Sequence, residues 1–423
     1  MKSPLEALHI ELIELIVTFL EPCDIASLRL TSRTIVNKAS QGQGHLGRLL
    51  QHCTITGIVR NETTAADEGT EHLRLLTEAF RNLKQRSPKG GLSSLCLRVA
   101  ARIEGADGEL TEPDSFGSWR TVWDAALRTF NVTMAALNES QLTVGEHLDI
   151  FGSLKGCTLA CDAFLAFAQK FASMHIFGSL KRLTVSLSAP YKAATEHESE
   201  AAVTETEAQA ESRHSNLILQ SIMQVLPIMP ELESLDLHWY NLGASMSTSP
   251  VPSATRQGSG TSSASTSLKE CSLRGIYVSE SDLLQFLEAV HPATLTLTDV
   301  RLVSGTYASI FKYLTSPDSP VTCYHLDDIR EKNALVHFDV PGSSKFRYSR
   351  DTVGPSSLTR QTSHVKEEIH YRFARGRAIG SGERWRWLKS KAQEFGPPDD
   401  GVYDFIELNS QKVAAAPDDS DDD

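Results

Sequence analysis

The residues with the most chemical potential lie near the C-terminal end. Arg372, Arg375, Arg377, Arg384, Arg386, Lys389 and Lys391 are interleaved with Tyr371, Phe373, Trp385 and Trp387. Cations among aromatic rings suit single-stranded nucleic acid: bases stack on the rings while Arg and Lys neutralise phosphates. The same set suits an acidic protein, or the chain's own acidic segments. The plainest alternative packs Trp385 and Leu388 against the preceding domain and leaves the charges solvated, and we favour it.

Other chemical candidates are weaker. Cys157 and Cys161 form one Cys-x3-Cys pair, while Cys23, Cys53, Cys96, Cys271 and Cys323 are scattered. A structural zinc site needs four ligands, so these read as small core residues and no metal is expected. Gly42-Gln43-Gly44-His45-Leu46-Gly47 satisfies the letter of a dinucleotide fingerprint, with Glu62 and Asp67 downstream. That mechanism needs a strand before the glycines, and residues 31–40 read as a helix, so a linker is the better reading. His364 and His370 are six apart, whereas paired ligands on one helical face sit four apart. No nucleophile elbow, phosphate loop or kinase motif set is present. The expectation is a non-catalytic chain without cofactor.

What must position any site is a series of apolar patterns. Leu-x-x-Leu-x-Leu recurs as Leu92/Leu95/Leu97, Leu180/Leu183/Val185, Leu232/Leu235/Leu237 and Leu268/Cys271/Leu273. At an offset of 24, Cys271, Leu273, Ile276, Val278, Leu283, Phe286, Leu287 and Val290 map onto Leu295, Leu297, Val300, Leu302, Tyr307, Ile310, Phe311 and Leu314. Each unit reads as strand, turn and helix, with a period inside the range of leucine-rich repeats. The spacing elsewhere is irregular. Helices are expected over 72–86, over 119–137 with Trp119, Val122, Trp123, Ala126, Leu127 and Phe130 inward, and around Phe164, Phe167, Ala168 and Phe171. Residues 335–340 alternate like a strand.

At the N-terminus, Leu12, Ile13, Ile16, Phe19 and Leu20 form one helical stripe, interrupted by Pro22. Asp24 is a helix N-cap for a second short segment with Ile25, Leu28 and Leu30. Forty residues cannot bury so much apolar surface alone, so the stripe calls for a partner.

The order Leu8, Glu11, Ile16, Phe19, Leu20, Pro22, Asp24, Ile25, Leu28, Leu30 and Arg33 resembles an F-box, in a form common among fungal members. His9 stands where that family usually has Pro, and Thr31-Ser32 and Ile35 replace the frequent Val-Cys and Trp. The resemblance implies docking to the Skp adaptor, and through it to a cullin–RING ubiquitin ligase, with an unknown protein substrate held by the downstream domain. Leu8, Ile10, Leu12, Ile13, Ile16, Leu20, Pro22, Ile25, Leu28 and Leu30 would bind the adaptor or form the small core beneath it. The second reading is a scaffold or transcription-linked adaptor whose basic segment binds nucleic acid or an acidic partner.

Composition sets the bounds. In 423 residues, 40% are apolar and the net charge is −12, unevenly spread. Residues 196–211 hold six Glu and no Lys or Arg, and the last seven residues hold five Asp. Residues 345–391 hold twelve Lys or Arg against four Asp or Glu. The acidic total argues against wholesale nucleic-acid binding. No signal peptide or membrane span is expected, and seven scattered cysteines suit a reducing compartment, so the chain reads as cytoplasmic or nuclear.

The expected fold is therefore α/β: a three-helix F-box over 1–40, a helical linker over 41–91, and a leucine-rich-repeat-like domain over 92–341. Disordered insertions are expected at 189–215 and 243–266, with a basic, partly ordered segment over 342–408 and an acidic disordered tail over 409–423.

Overall fold

The structure is a computed structural model. It describes residues 51–59, 66–87, 90–102, 110–111, 119–171, 175–190, 219–220, 222–241, 267–331, 334–375, 378–379, 386–387, 390–391 and 394–396. Strand β1 (His52–Ile58) leads through helix α1 (Ala66–Arg86) to β2 (Gly91–Arg102), onto whose end β3 (Leu110–Thr111) folds back. Helix α2 (Trp119–Ser140), β4 (Thr143–Ile150), β5 (Leu159–Ala160), α3 (Cys161–Phe171) and β6 (Arg182–Ser188) follow. Next come β7 (Ser234–Tyr240), β8 (Glu270–Arg274), β9 (Tyr277–Ser279), α4 (Glu280–Val290), β10 (Thr294–Thr298), β11 (Arg301–Ser304), α5 (Ala308–Thr315), β12 (Cys323–Asp327) and β13 (Arg330–Glu331). The C-terminal part adds β14 (Ala334–Leu335), β15 (His337–Phe338), β16 (Arg347–Tyr348), β17 (Ser357–Gln361), β18 (Tyr371–Arg372) and β19 (Ala378–Ile379).

One 11-stranded sheet organises the body, in the order β1-β2-β4-β6-β7-β8-β10-β12-β17 with β3 and β5 beside that path. Neighbours on the path pair parallel until the last, β17, which runs antiparallel to β12. A second sheet, β14-β13-β11-β9, flanks its later part.

This architecture corrects the fold expected from sequence. The described residues form a mixed α/β body around one large parallel-dominated sheet of 11 strands, not a three-helix module followed by a leucine-rich-repeat-like array. The physical reason is that Leu-x-x-Leu-x-Leu is written by any parallel strand with one face on a core, whatever connects it to the next. Those connections are unlike one another: β1 and β2 are joined through the 21-residue α1, β2 and β4 through the 22-residue α2, and α4 and α5 have 11 and 8 residues. In 271–314, Cys271 and Leu273 pair with Leu295 and Leu297 in adjacent strands, but this local spacing does not run through the sheet.

The supposed linker supplies an edge strand, β1, which the sequence reading missed. The N-terminal residues 1–50, residues 191–215 of the first insertion, the whole second insertion 243–266, and the tail 409–423 lie outside the described residues. Ala189 and Pro190, assigned to the first insertion, are buried.

The core lies on one side of the sheet. Leu95, Leu97, Leu148, Leu183, Leu235, Leu237, Leu273, Leu295, Leu297 and Leu326 point into it. Helix α2 covers β1 and β2 with Trp119, Val122, Trp123, Ala126 and Phe130 buried as the helical spacing predicts, while Leu127 is half-buried. Helix α4 begins where the Ser279 hydroxyl accepts from Asp282 N (3.1 Å) and ends at left-handed His291.

The contact of α2 with β1 is close. A methyl group on Gly57 would stand 1.8 Å from Thr129 Oγ1 and 3.3 Å from Ala125 O. Gly57→Ala is therefore expected to cost about 2 kcal/mol by overpacking. A urea titration checks it, and a loss below about 0.5 kcal/mol would show that α2 yields freely.

Candidate protein-docking face

A strand buried on one side turns every second residue outward, and the parallel registers align those residues into rows. The first row reads His52, Ser94, His147, Arg182, Ser234, Glu270, Thr294, Cys323 and Gln361. The second reads Thr54, Cys96, Asp149, Thr184, Asp236, Ser272, Thr296, His325 and Thr359. A third, nearer the C-terminal strand ends, carries Ser186, His238, Arg274, Thr298, Asp327 and Ser357. The result is a broad polar face of hydroxyls, imidazoles and mixed charge, exposed at Thr54, Thr56, Arg98, Arg182 and Glu270, half-buried along most of its centre and buried at Asp149 and Ser186.

Cross-strand pairs hold the face in order. His52 Nδ1 lies 2.6 Å from Ser94 Oγ, His147 Nε2 3.1 Å from Thr184 Oγ1, and His325 Nδ1 2.7 Å from Thr359 Oγ1. The same imidazole–hydroxyl pairing three times over, on a broad surface, is sheet stabilisation rather than a nucleophile with its base. Arg274 grips Asp236 bidentately at 2.9 and 3.2 Å. Three of the thiols are held in the protonated form by their surroundings. Burial and then Cys96 push Cys53 up to about 11, burial and then Asp236 push Cys271 up to about 12, and burial pushes Cys157 higher still. Among the described residues no three His, Cys, Asp or Glu side chains converge as metal ligands.

Past the third row the chain turns sharply. Gly275, Asp299 and Asp328 follow β8, β10 and β12 in left-handed conformation, with φ of 76°, 51° and 53°. Gly275 N donates to Thr298 O, Asp299 N to Asp327 O and Asp328 N to Ser356 O, linking the turns side by side. Asp328 is the electrostatic hub: its side chain is 1% exposed, and its carboxylate accepts from Lys345 Nζ at 2.7 and 2.8 Å and from Ser356 Oγ at 2.8 Å. Lys391 Nζ lies 3.3 Å away, and Trp387 Nε1 donates at 3.4 Å.

Lys391 and Trp387 sit at the turn after β12, and Glu394 and Phe395 sit at the ends of β7 and β8. Trp387 packs edge-on against Phe346 and beneath the Arg330 guanidinium. Phe395, 4% exposed, reaches Gly275, and its carbonyl accepts from Asn241 N at 2.5 Å. His238 Nε2 donates to Glu394 O at 2.9 Å, which fixes the ring's tautomer. Burial and then Arg274 drive the His238 pKa down to about 4.

No known family model matches the chain, and no curated protein matches it. Geometry and sequence therefore carry the functional reading.

The ten apolar residues assigned to adaptor binding, Leu8 to Leu30, lie outside the described residues, as do Cys23 and the glycine run 42–47. Cys157 and Cys161 are buried core residues. His364 pairs with Glu367 at 2.7 Å, and His370 with Glu368 at 3.7 Å, all well exposed. In the basic segment, Arg372 pairs with Asp339 (3.3 Å) and Asp351 (3.5 Å), and Tyr371 OH donates to Glu331 (2.6 Å). Arg360 donates to the carbonyls of Glu367 and Glu368. Lys345, Arg372 and Lys391 are thus committed to the chain's own carboxylates. Trp385 and Leu388, expected to pack inward, lie outside the described residues; Trp387 and Phe395 of the same stretch do pack on the domain. The polar rows were legible as alternation, but their partners across strands were not.

Proposed function

We propose that this chain is the substrate-recognition subunit of a Skp–cullin–F-box type ubiquitin ligase, with the polar sheet face engaging a protein target. The observation that carries this reading is the order and spacing of Leu8, Ile16, Phe19, Leu20, Pro22, Asp24, Ile25, Leu28 and Leu30. An apolar stripe of that kind needs a cover, and the Skp adaptor provides one. The sheet face supports the second half of the reading. It is broad, polar and pre-ordered by cross-strand pairs, as suits protein recognition. The chain's contribution is then effective concentration: the target is held near a charged ubiquitin-conjugating enzyme, with no bond made or broken by this protein.

The test uses the full chain with Ile16→Asp and Leu20→Asp together, mixed with purified Skp adaptor on a size-exclusion column. The wild type is expected to coelute with the adaptor. The double variant is expected to separate from it while keeping its circular dichroism and melting temperature. Coelution of the variant would overturn the proposal, as would separate wild-type peaks at micromolar concentration.

A further inference from the structure

The C-terminal segment occupies a defined seat on the docking face. Phe395 is buried at the ends of the strands, against Gly275 and His238 and not within the main apolar cluster. The seat has a floor, a wall and two backbone anchors. Gly275 is the floor, where a methyl group would stand 2.5 Å from Phe395 Cδ1 and 2.5 Å from Trp239 O. The His238 ring is the wall, edge-on to Phe395 at 5.3 Å and stacked on Tyr240 at 4.7 Å. Asn241 N and His238 Nε2 donate to two successive carbonyls, those of Phe395 and Glu394. Four residues before Phe395, Lys391 reaches the buried Asp328 carboxylate and also lies 5.2 Å from the Phe395 ring centroid.

Donors that read backbone carbonyls, a ring-sized seat and a buried acid at fixed distance are the parts of a peptide-recognition site. We infer that Lys391, Glu394 and Phe395 are resident, displaceable occupants of a peptide groove on this face. The partner that replaces it is a peptide with an aromatic side chain and a lysine or arginine four residues before it. The segment then lowers the apparent affinity for such a partner, because a tethered occupant competes at high local concentration. The identity of the natural partner as a ligase target rests on the proposed function. The groove itself does not.

The experiment uses a fluorescein-labelled synthetic peptide with the sequence of residues 384–400, followed by fluorescence anisotropy against full-length protein. Phe395→Ala vacates the seat in the protein and is expected to bind the peptide at least about tenfold more tightly than wild type does. A peptide with Ala at the position of Phe395 is expected not to bind. Adding Gly275→Ala to the Phe395→Ala protein is expected to weaken binding by about tenfold or more, because the floor rises into the ring. Equal binding to wild type and Phe395→Ala, or binding to neither, overturns the inference. Should Phe395→Ala not fold, Phe395→Leu keeps apolar bulk while losing the ring, and a gain of about threefold over wild type is then required. No adaptor is present in this measurement, so its failure leaves the adaptor-binding proposal untouched.

Discussion

Asp328→Asn loses about 3 kcal/mol of folding stability in urea titrations at neutral pH, and Asp328→Ala loses more. The carboxylate is 1% exposed and serves Lys345, Lys391, Ser356 and Trp387 together. Removing one member of a buried ion pair costs about 3–5 kcal/mol, since the remaining charge has lost its partner. Lys345 is 39% exposed and rehydrates readily, which places the loss at the low end, whereas Lys391 is only 14% exposed. Asn keeps the left-handed backbone that Asp328 requires, but Ala adds about 1–2 kcal/mol of steric cost at φ 53°. Burial pushes the Asp328 pKa up, but the Lys345 hydrogen bond, the two lysine charges and Ser356 outweigh it, so the folded value lies below the ordinary one. The associated stability is complete above about pH 4 and is lost as pH falls through the folded value. Asp328→Asn should show none of that loss. A cost under about 1 kcal/mol would mean that the hub is solvated in solution.

Acid acts earlier through His238. Its folded pKa of about 4 lies below the ordinary histidine value of 6.5, so the unfolded chain binds the extra proton first. Stability from this group is therefore complete above about pH 6.5 and falls by about 3 kcal/mol as pH drops to about 4. Charging the ring places a cation beside Arg274 and under the C-terminal segment. His147 and His337 are also depressed, mainly by burial, and contribute in the same direction. His238→Gln keeps an N–H for Glu394 O but cannot titrate, so it isolates the term. Stability of wild type and variant measured from pH 7 to pH 4 should diverge by about 3 kcal/mol. Parallel curves would show that His238 is solvated in the fold.

How much of this was legible in the residues differs by element. The inward stripe of α2 from Trp119 to Phe130 was plain, because a 3.6-residue period held over about three turns has few alternative explanations. The strands around Leu95, Leu183, Leu235 and Leu273 were plain for the same kind of reason. Their joining into one sheet was not, since alternation fixes which side is apolar but not which strand lies beside which. Strand β1 was hidden because His52-Cys-Thr-Ile-Thr-Gly-Ile58 is short and half polar, as edge strands are. The two-residue strands β13 and β14 carry too few residues for any period. The turns at Asp299 and Asp328 lacked the glycine that announces a left-handed residue, and only Gly275 wrote that signal. The groove was least legible of all. It joins Asn241 and Gly275 to Phe395 across more than a hundred residues, and no local pattern encodes such a contact.

The order of synthesis gives the C-terminal segment a further consequence. Every strand that builds the groove, through Asp327, is translated before Phe395 exists. At 5–20 residues per second the interval between those two residues is about 3–14 s. A nascent chain on the ribosome therefore offers an empty seat, and a partner arriving in that window meets no competitor, whereas one arriving after release must evict the resident.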